Sequence, residues 1–329
     1  MSELDVTFPA MGSDIRLLLG EPLEPGLPDP AEAAARVREY VERFDAQLSR
    51  FRPDSELSAL NRDERAAVPA SQLLCSAVAA GLWAAERSGG LVDPTLLGQI
   101  EAAGYRESRR GVTPAPLLDA LAAAPPRRAA RPSAGALYRR VAVDHAAGVV
   151  RRPPGVRIDT GGAGKGLCAD AMAHMLRGYS RFVIDCGGDM RVGGDDARTT
   201  PYRIELEHPL TRDHQDALSL GSGAIATSGI NSRVWQNGDG AYAHHLLDPA
   251  SGEPAWTGLV SVTALAPSAL EAETLAKTAF LLGPRGARRV LRSRGGAIVH
   301  EDGRLERIGS CWHEPLLHLR VAPVAGVAA

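Results

Sequence analysis

Alternation of apolar and polar positions predicts several β-strands, most of them in the second half of the chain. A period of two is typical of strands that place one face on a core. The predicted strands are Thr7–Leu19 with a bend at Met11-Gly12-Ser13, Phe182–Ile184, Tyr202–Glu207, Leu218–Thr227, Ala241–Leu247 and Leu259–Ala266. Residues Val141–Val150 have the pattern of a hairpin.

Apolar residues at helical spacing predict three main helices. The first follows Asp29-Pro30, a favourable cap with proline at the first helical position. The second covers Ser71–Arg87 and stops at Gly89-Gly90, and the third covers Leu270–Leu282. The apolar stripe of the first helix, the face expected to pack on the core, consists of Ala34, Val37, Val41, Phe44 and Leu48. Strands and amphipathic helices together predict an α+β fold.

The segment Arg157–Asp170 has the composition of an anion-binding loop. It contains four glycines and Lys165, and it leads into a helical pattern with Leu167, Ala171 and Met175 on one face. Glycines allow close approach of the backbone, and a helix start supplies free N–H groups. Gly166 stands where a Walker A loop needs serine or threonine, and no Gly-x-Gly-x-x-Gly is present at Rossmann spacing. A structural turn remains the alternative interpretation.

Glu273 and Lys277 lie four residues apart on the predicted last helix. The simple interpretation is an ion pair that supports the helix by roughly 0.2–0.5 kcal/mol. The functional interpretation requires that this face of the helix meets the glycine loop.

Three other polar segments are candidate sites, each with a structural alternative. Ser49–Asn61 is a polar loop in which Ser55 could simply cap a helix at Ser58. Asp93-Pro94-Thr95 has the sequence of a turn. His244 and His245 are adjacent on a predicted strand, so at most one of them faces a site, and a surface histidine pair is the alternative.

Composition excludes several classes of function. The 329 residues carry a net charge of −2, which gives no electrostatic basis for binding nucleic acid or an anionic membrane. The four cysteines are widely spaced without Cys-x-x-Cys, so we expect reduced, structural thiols. No signal peptide or membrane span is predicted, and we expect a cytoplasmic protein.

The order of the motifs resembles that of the ApbE family of flavin transferases. The resemblance covers about residues 5–285. It is carried by Met11-Gly12-Ser13, Phe51–Asn61, Asp93-Pro94-Thr95, Ile158-Asp159-x-Gly-Gly-x-x-Lys165-Gly166-x-x-x-Asp170, Gly187-Gly188-Asp189, Ala226-Thr227-Ser228-Gly229, His245-Leu246-Leu247-Asp248-Pro249 and Ala272–Gly283. It implies an α+β, T-fold-like module of two lobes, with mixed or antiparallel sheets, packed helices and FAD between the lobes.

The resemblance also implies an activity: cleavage of FAD at its diphosphate and transfer of FMN to a threonine or serine hydroxyl of an acceptor protein, with release of AMP. His245 would be the base, Lys165 would act at the diphosphate, and Asp248 could orient His245. The residues implied for FAD binding are Met11, Phe51, Ser55, Asp93, Thr95, Asp159, Lys165, Asp170, Thr227, Ser228, Leu247 and Lys277.

The sequence departs from the family pattern at the implied Mg²⁺ site. The family supplies an aspartate, a threonine and a backbone carbonyl, and the matching positions here are Glu273, Lys277 and Gly162. Lys277 could replace the metal, or the neighbouring Thr278 could become a ligand after a small helix shift. Phe51 also stands where the family usually has tyrosine.

Residues 1–320 are expected to form one module, with a variable Arg/Pro/Ala-rich segment at 106–154 and a flexible tail at 321–329. The sequence leaves other functions open. FAD hydrolysis to FMN and AMP, transfer to a small molecule, and a flavin-binding protein without turnover all fit the same motifs.

Overall fold

A computed structural model describes residues 3–309, 312 and 320–321. Apart from Val321, the predicted tail therefore lies outside the described residues. Cys311 lies outside them as well. The helices of the described part are α1 Pro30–Leu48, α2 Glu56–Arg62, α3 Gln72–Arg87, α4 Leu97–Ala102, α5 Leu117–Ala123, α6 Gly164–Met175, α7 Asp195–Thr199, α8 Ala269–Leu281 and α9 Gly283–Leu291. None of these helices has the length and apolar character needed to cross a bilayer.

The strands confirm the predicted β-rich second half. Those described are β1 Leu4–Ala10, β2 Ser13–Leu19, β3 Ala67–Pro69, β4 Ala142–Asp144, β5 Val149–Arg151, β6 Phe182–Cys186, β7 Met190–Gly193, β8 Tyr202–Glu207, β9 His214–Leu220, β10 Gly223–Gly229, β11 Val234–Gln236, β12 Tyr242–His244, β13 Leu259–Ala266, β14 Gly296–His300, β15 Leu305–Ile308 and β16 Arg320–Val321. The predicted strand Leu218–Thr227 was wrong as a single element, because Gly221-Ser222-Gly223 turns the chain and Gly223 has a φ of +114°.

Eight strands of the described chain form one antiparallel sheet, in the order β1-β2-β6-β7-β10-β13-β14-β15. Alternate residues of β6 and β10 face opposite sides. Phe182, Ile184 and Ala224 pack with the helices, whereas Val183 and Ile225 pack with β8 and β9. The sheet is thus buried on both faces, which confirms an α+β architecture.

The first helix confirms the sequence prediction closely. All five stripe residues of α1 are buried, and the Asp29 side chain accepts a hydrogen bond from the Glu32 N–H. The second predicted helix is α3, capped by Ser71 and followed by glycines at positive φ. The hairpin near Val141–Val150 is β4 paired with β5.

Helices α6 and α8 lie against each other on the sheet and position the functional site. A Cβ on Gly166 would stand 2.6 Å from the Ala269 carbonyl oxygen, so only glycine permits this approach. The face predicted for α6 was not the buried one. Met175 is 39% exposed, and the residues of α6 that are buried are Gly166, Cys168, Ala169, Met172 and Ala173.

Candidate functional site

A cavity of about 1000 Å³ lies where the predicted motifs come together. Its size is at the upper end for small-molecule sites. The wall includes the β1–β2 turn, the start of α6, the end of β10 and the C-terminal half of α8. The predicted residues that line it are Met11, Phe51, Asp93, Asp159, Gly162, Lys165, Thr227, Ser228, His245, Leu247 and Lys277.

The glycine loop presents an uncapped helix start to the cavity. The Asn61 amide fixes Ile158 by bonding both its N–H and its C=O, and the Asp159 carboxylate accepts from the Gly161 N–H at 2.8 Å. The N-cap residue, Ala163, has no side chain that could cap α6, and Glu273 accepts a hydrogen bond from the third N–H group, that of Gly166. The N–H groups of Gly164 and Lys165 and the positive end of the helix dipole are therefore available to an anion.

Two lysines reach this region, each paired with a carboxylate. Lys165 Nζ lies 2.5 Å from Asp189 Oδ2, and Lys277 Nζ lies 2.7 Å from Glu273 Oε1. Burial alone would lower the pKa of Lys165, but the Asp189 and Glu273 carboxylates raise it above its usual value. Lys165 is therefore a permanent cation. The predicted ion pair of Glu273 and Lys277 is confirmed.

The functional interpretation of Glu273 and Lys277 required that their helix, α8, contacts the glycine loop. The structure contains this contact. The Gly166 N–H donates to Glu273 Oε2 at 2.8 Å. Glu273 is fully buried, and this burial raises the pKa of its carboxyl against the opposing effect of Lys277. The α6 backbone, Glu273 and Lys277 thus form one connected unit at the cavity wall.

Arg50 lies in the predicted polar loop but was not predicted as a site residue, and it forms a second part of the wall. Its guanidinium lies 4.1 Å from the Phe51 ring centroid and 4.6 Å from that of Tyr105, and it approaches Asp159 Oδ2 at 3.4 Å. Arg50 Nη2 is buried without a hydrogen-bond partner. A buried donor of this kind is costly unless a ligand supplies an acceptor.

The two histidines face different surroundings, although the predicted strand Ala241–Leu247 was too long, because β12 covers only Tyr242–His244 and His245 lies beyond its end. His244 is buried, with its ring centroid 4.6 Å from that of Trp256, and burial lowers its pKa to about 3. His245 lines the cavity, and its Nδ1 is buried without a hydrogen-bond partner. Burial and then the nearby Arg233 lower the pKa of His245 well below 6.5, so this ring is neutral at physiological pH. The surface-pair interpretation was wrong.

Asp248 does not orient His245, which corrects the sequence prediction. Its Oδ1 accepts from the Arg131 N–H at 2.9 Å and from the Ala250 N–H at 3.1 Å. The side chain is buried away from the cavity lining. Asp248 therefore anchors the turn that follows His245, the alternative role of an aspartate before proline.

Three residues predicted to contact FAD also lie outside the cavity lining. Ser55 caps α2 through the Ser58 N–H, and Thr95 donates both its N–H and its hydroxyl to Asp93 Oδ1. The Asp170 carboxylate accepts from the Ala269 and Leu270 N–H groups and so caps α8. These residues hold the site elements in place, since their polar atoms are already used.

The side chains at the implied metal position are not suited to bind Mg²⁺. Both Glu273 oxygens accept from N–H groups, one of them the Lys277 ammonium. The hydroxyl of Thr278, the alternative ligand, donates to the Thr274 carbonyl at 2.7 Å. Within the described residues no group of three histidine, cysteine or acidic side chains could hold a metal ion. Mg²⁺ takes hard oxygen ligands and is repelled by an adjacent ammonium.

Replacing Asp185 with asparagine is expected to stabilise the protein at pH 8 but not at pH 4. Asp185 lines the cavity, and burial raises the pKa of its carboxyl from 3.8 to about 6. The folded state therefore binds this proton more tightly than the unfolded chain does. Above pH 6, ionisation of Asp185 lowers the free energy of unfolding by up to about 3 kcal/mol. That cost disappears as the pH falls from about 6 to below 3.8.

Asparagine can still accept the Gly188 N–H bond that Asp185 Oδ1 accepts at 2.7 Å. The free energy of unfolding, measured in urea at both pH values for wild type and Asp185→Asn, tests the expectation. The same difference at pH 4 and pH 8 would contradict it.

Comparison with known proteins identifies the family. The sequence model described as the ApbE family matches residues 11–299. A FAD:protein FMN transferase of Treponema pallidum is 30% identical over 285 residues, covering 81% of this chain and 76% of the relative. The enzyme of the same name from Salmonella typhimurium is 27% identical over 278 residues, covering 82% and 76%.

Solved structures give the same result. The ApbE protein of Thermotoga maritima superposes with a TM-score of 0.75 at 26% identity, covering 93% of this chain and 97% of that one. The apo flavinyl transferase ApbE of Pseudomonas stutzeri has the same fold, with a TM-score of 0.75 at 21% identity over 96% and 98% of the two chains. The chain belongs to the ApbE family.

Proposed function

We propose that this chain binds FAD in the cavity and transfers its FMN part to a serine or threonine hydroxyl of an acceptor protein, with AMP as the leaving group. Family membership supports this proposal. The observation that carries it is the convergence of His245, Lys165 and Lys277 on one cavity at the start of α6.

The residues of the wall fit FAD. Phe51 and Tyr105 offer aromatic faces suited to a planar ring system, and Arg50 Nη2 and His245 Nδ1 are buried polar atoms without partners. Met11, Asp93, Leu247, Thr227 and Ser228 line the same space. We do not place Ser55, Thr95, Asp170 or Asp248 against FAD, because their side chains lie outside the lining.

The diphosphate is expected at the start of α6. There Lys165 and the free N–H groups of the helix would stabilise its negative charge, including the charge that develops as the bond to AMP breaks. The volume of the cavity suits a ligand with two ring systems.

We infer that His245 activates the acceptor. As a neutral imidazole it can take the proton of the acceptor hydroxyl while the oxygen forms a bond to the phosphorus of the FMN part. The phosphorus–oxygen bond to AMP breaks, and AMP leaves with the electron pair. The products are a phosphoester-linked FMN, AMP and the proton held by His245.

The acceptor is proposed to be a protein with a serine or threonine in an exposed segment. A cytoplasmic location, which the sequence predicts, would restrict it to proteins with a domain in that compartment. We also infer that residues 1–320 act as one module, with the 106–154 segment as its variable part.

Incubation with FAD and an extract of the source cells tests the proposal. Purified wild-type protein is expected to produce a fluorescent flavin band that survives denaturing electrophoresis, and peptide mass spectrometry should locate the flavin on serine or threonine. FMN and AMP in solution without a labelled protein would indicate a hydrolase. Intact FAD bound to the chain without a label would indicate a flavin-binding protein, and labelled small molecules would indicate another acceptor class.

A further inference from the structure

The side chain of Lys277 has taken the position at which the family pattern implies a metal ligand. Its Nζ lies 2.7 Å from Glu273 Oε1, and its side chain is only 14% exposed. Lys277 also lines the cavity, so its side chain borders the space in which the ligand is proposed to bind. The pair is built into the wall rather than lying on the outer surface.

Glu273 holds this ammonium in a fixed position. Its second oxygen accepts from the Gly166 N–H, and the carboxylate is fully buried between α6 and α8. A buried carboxylate with two charge-assisted or backbone bonds has little freedom to rotate toward another cation. The same arrangement keeps Lys277 directed toward the start of α6.

An ammonium can bind phosphate oxygens while it remains paired. Lysine has three donor hydrogens, of which Glu273 takes one. Lys165 forms an ion pair with one carboxylate, that of Asp189, so each of the two ammonium groups keeps hydrogens for a ligand. Lys165, Lys277 and Arg233 all contribute to the positive potential at His245, so their charges act on the same region of the cavity.

We propose that the Lys277 ammonium, positioned by Glu273, replaces the divalent cation and binds the diphosphate of FAD directly, so that this chain binds and cleaves FAD without Mg²⁺. The inference rests on the proposed function. In the transfer step Lys277 stabilises the negative charge that collects on the departing AMP phosphate, and it neither gains nor loses a proton. The bonds formed and broken are those described for His245.

Dissociation constants for FAD and riboflavin, measured by flavin fluorescence in EDTA and in MgCl₂, test the inference. Riboflavin lacks phosphates and reports ring binding alone. Wild type should bind FAD equally well in both buffers. Glu273→Gln combined with Lys277→Met keeps an acceptor for Gly166 without an unpaired buried charge, and it should weaken FAD binding roughly ten- to hundredfold while riboflavin binding stays within about twofold.

Two further variants complete the experiment. Glu32→Gln with Arg36→Met removes an exposed ion pair of the same spacing on α1 and should leave both constants unchanged. Glu273→Asp with Lys277→Thr supplies oxygen ligands instead of an ammonium, so its FAD binding should become stronger in MgCl₂ than in EDTA.

The outcomes separate this inference from the proposed function. Wild-type FAD binding that is lost in EDTA and restored by MgCl₂ would overturn the role of Lys277 and leave the function intact. FAD binding by the neutral double variant at wild-type strength would also overturn it. Wild type that binds FAD in neither buffer would instead contradict the proposed function itself.

Discussion

Replacing His245 with alanine is expected to slow FMN transfer by a factor of about 10²–10⁴, the usual contribution of a general base. The FAD dissociation constant should change little, because the cations and aromatic rings of the wall remain. His245 lines the cavity, and its lowered pKa keeps it neutral and able to accept a proton. Single-turnover rates of covalent flavin formation, with FAD binding measured separately, provide the test.

A matched control comes from His174, an exposed histidine in the last turn of α6. His174→Ala should leave both rate and affinity unchanged. Because the pKa of His245 lies well below 6.5, the wild-type rate should not fall by half as the pH drops from 7.5 to 6.5. Full transfer activity in His245→Ala would remove the assignment of the base.

Replacing Gly166 with alanine is expected to destabilise the protein by roughly 3–5 kcal/mol, through overpacking and loss of the bond to Glu273. The added Cβ would stand 2.6 Å from the Ala269 carbonyl oxygen and 2.7 Å from the Leu270 Cα. Both are backbone atoms, so relief requires α6 and α8 to separate. That movement would also separate the Gly166 N–H from Glu273 and disturb Lys277.

Gly164→Ala is the matched control on the same helix. A Cβ at Gly164 meets nothing within 4 Å, and its φ is not positive. Alanine there should be neutral or stabilise the helix by up to about 1 kcal/mol. Urea unfolding of both variants tests the packing of α6 on α8. Equal stability of Gly166→Ala and Gly164→Ala would contradict it.

Local patterns in the sequence predicted most of the elements because their signals lie within a few residues. The stripe of α1 and its Asp29 cap depend on spacing alone, as does the pair of Glu273 and Lys277. The adjacency of His244 and His245 predicted that only one of them faces the site. These features could be derived without knowing how distant segments meet.

Other features depended on contacts between distant segments. Arg50 acquires its position from Phe51, Asp159 and Tyr105, and no spacing in the sequence brings Tyr105 near Arg50. The family resemblance implied that Asp170 binds FAD, but its carboxylate caps α8, which is far away in sequence. Polar residues beside a loop have the same appearance whether they bind a ligand or a backbone.

The most direct test of the central claim is to quantify AMP and covalently bound flavin in one reaction of purified protein, FAD and an identified acceptor. We expect one AMP released for each flavin attached to a serine or threonine, with the formation of both products slowed to the same extent in His245→Ala. AMP released together with an equal amount of free FMN, and no flavin on the acceptor, would contradict transfer.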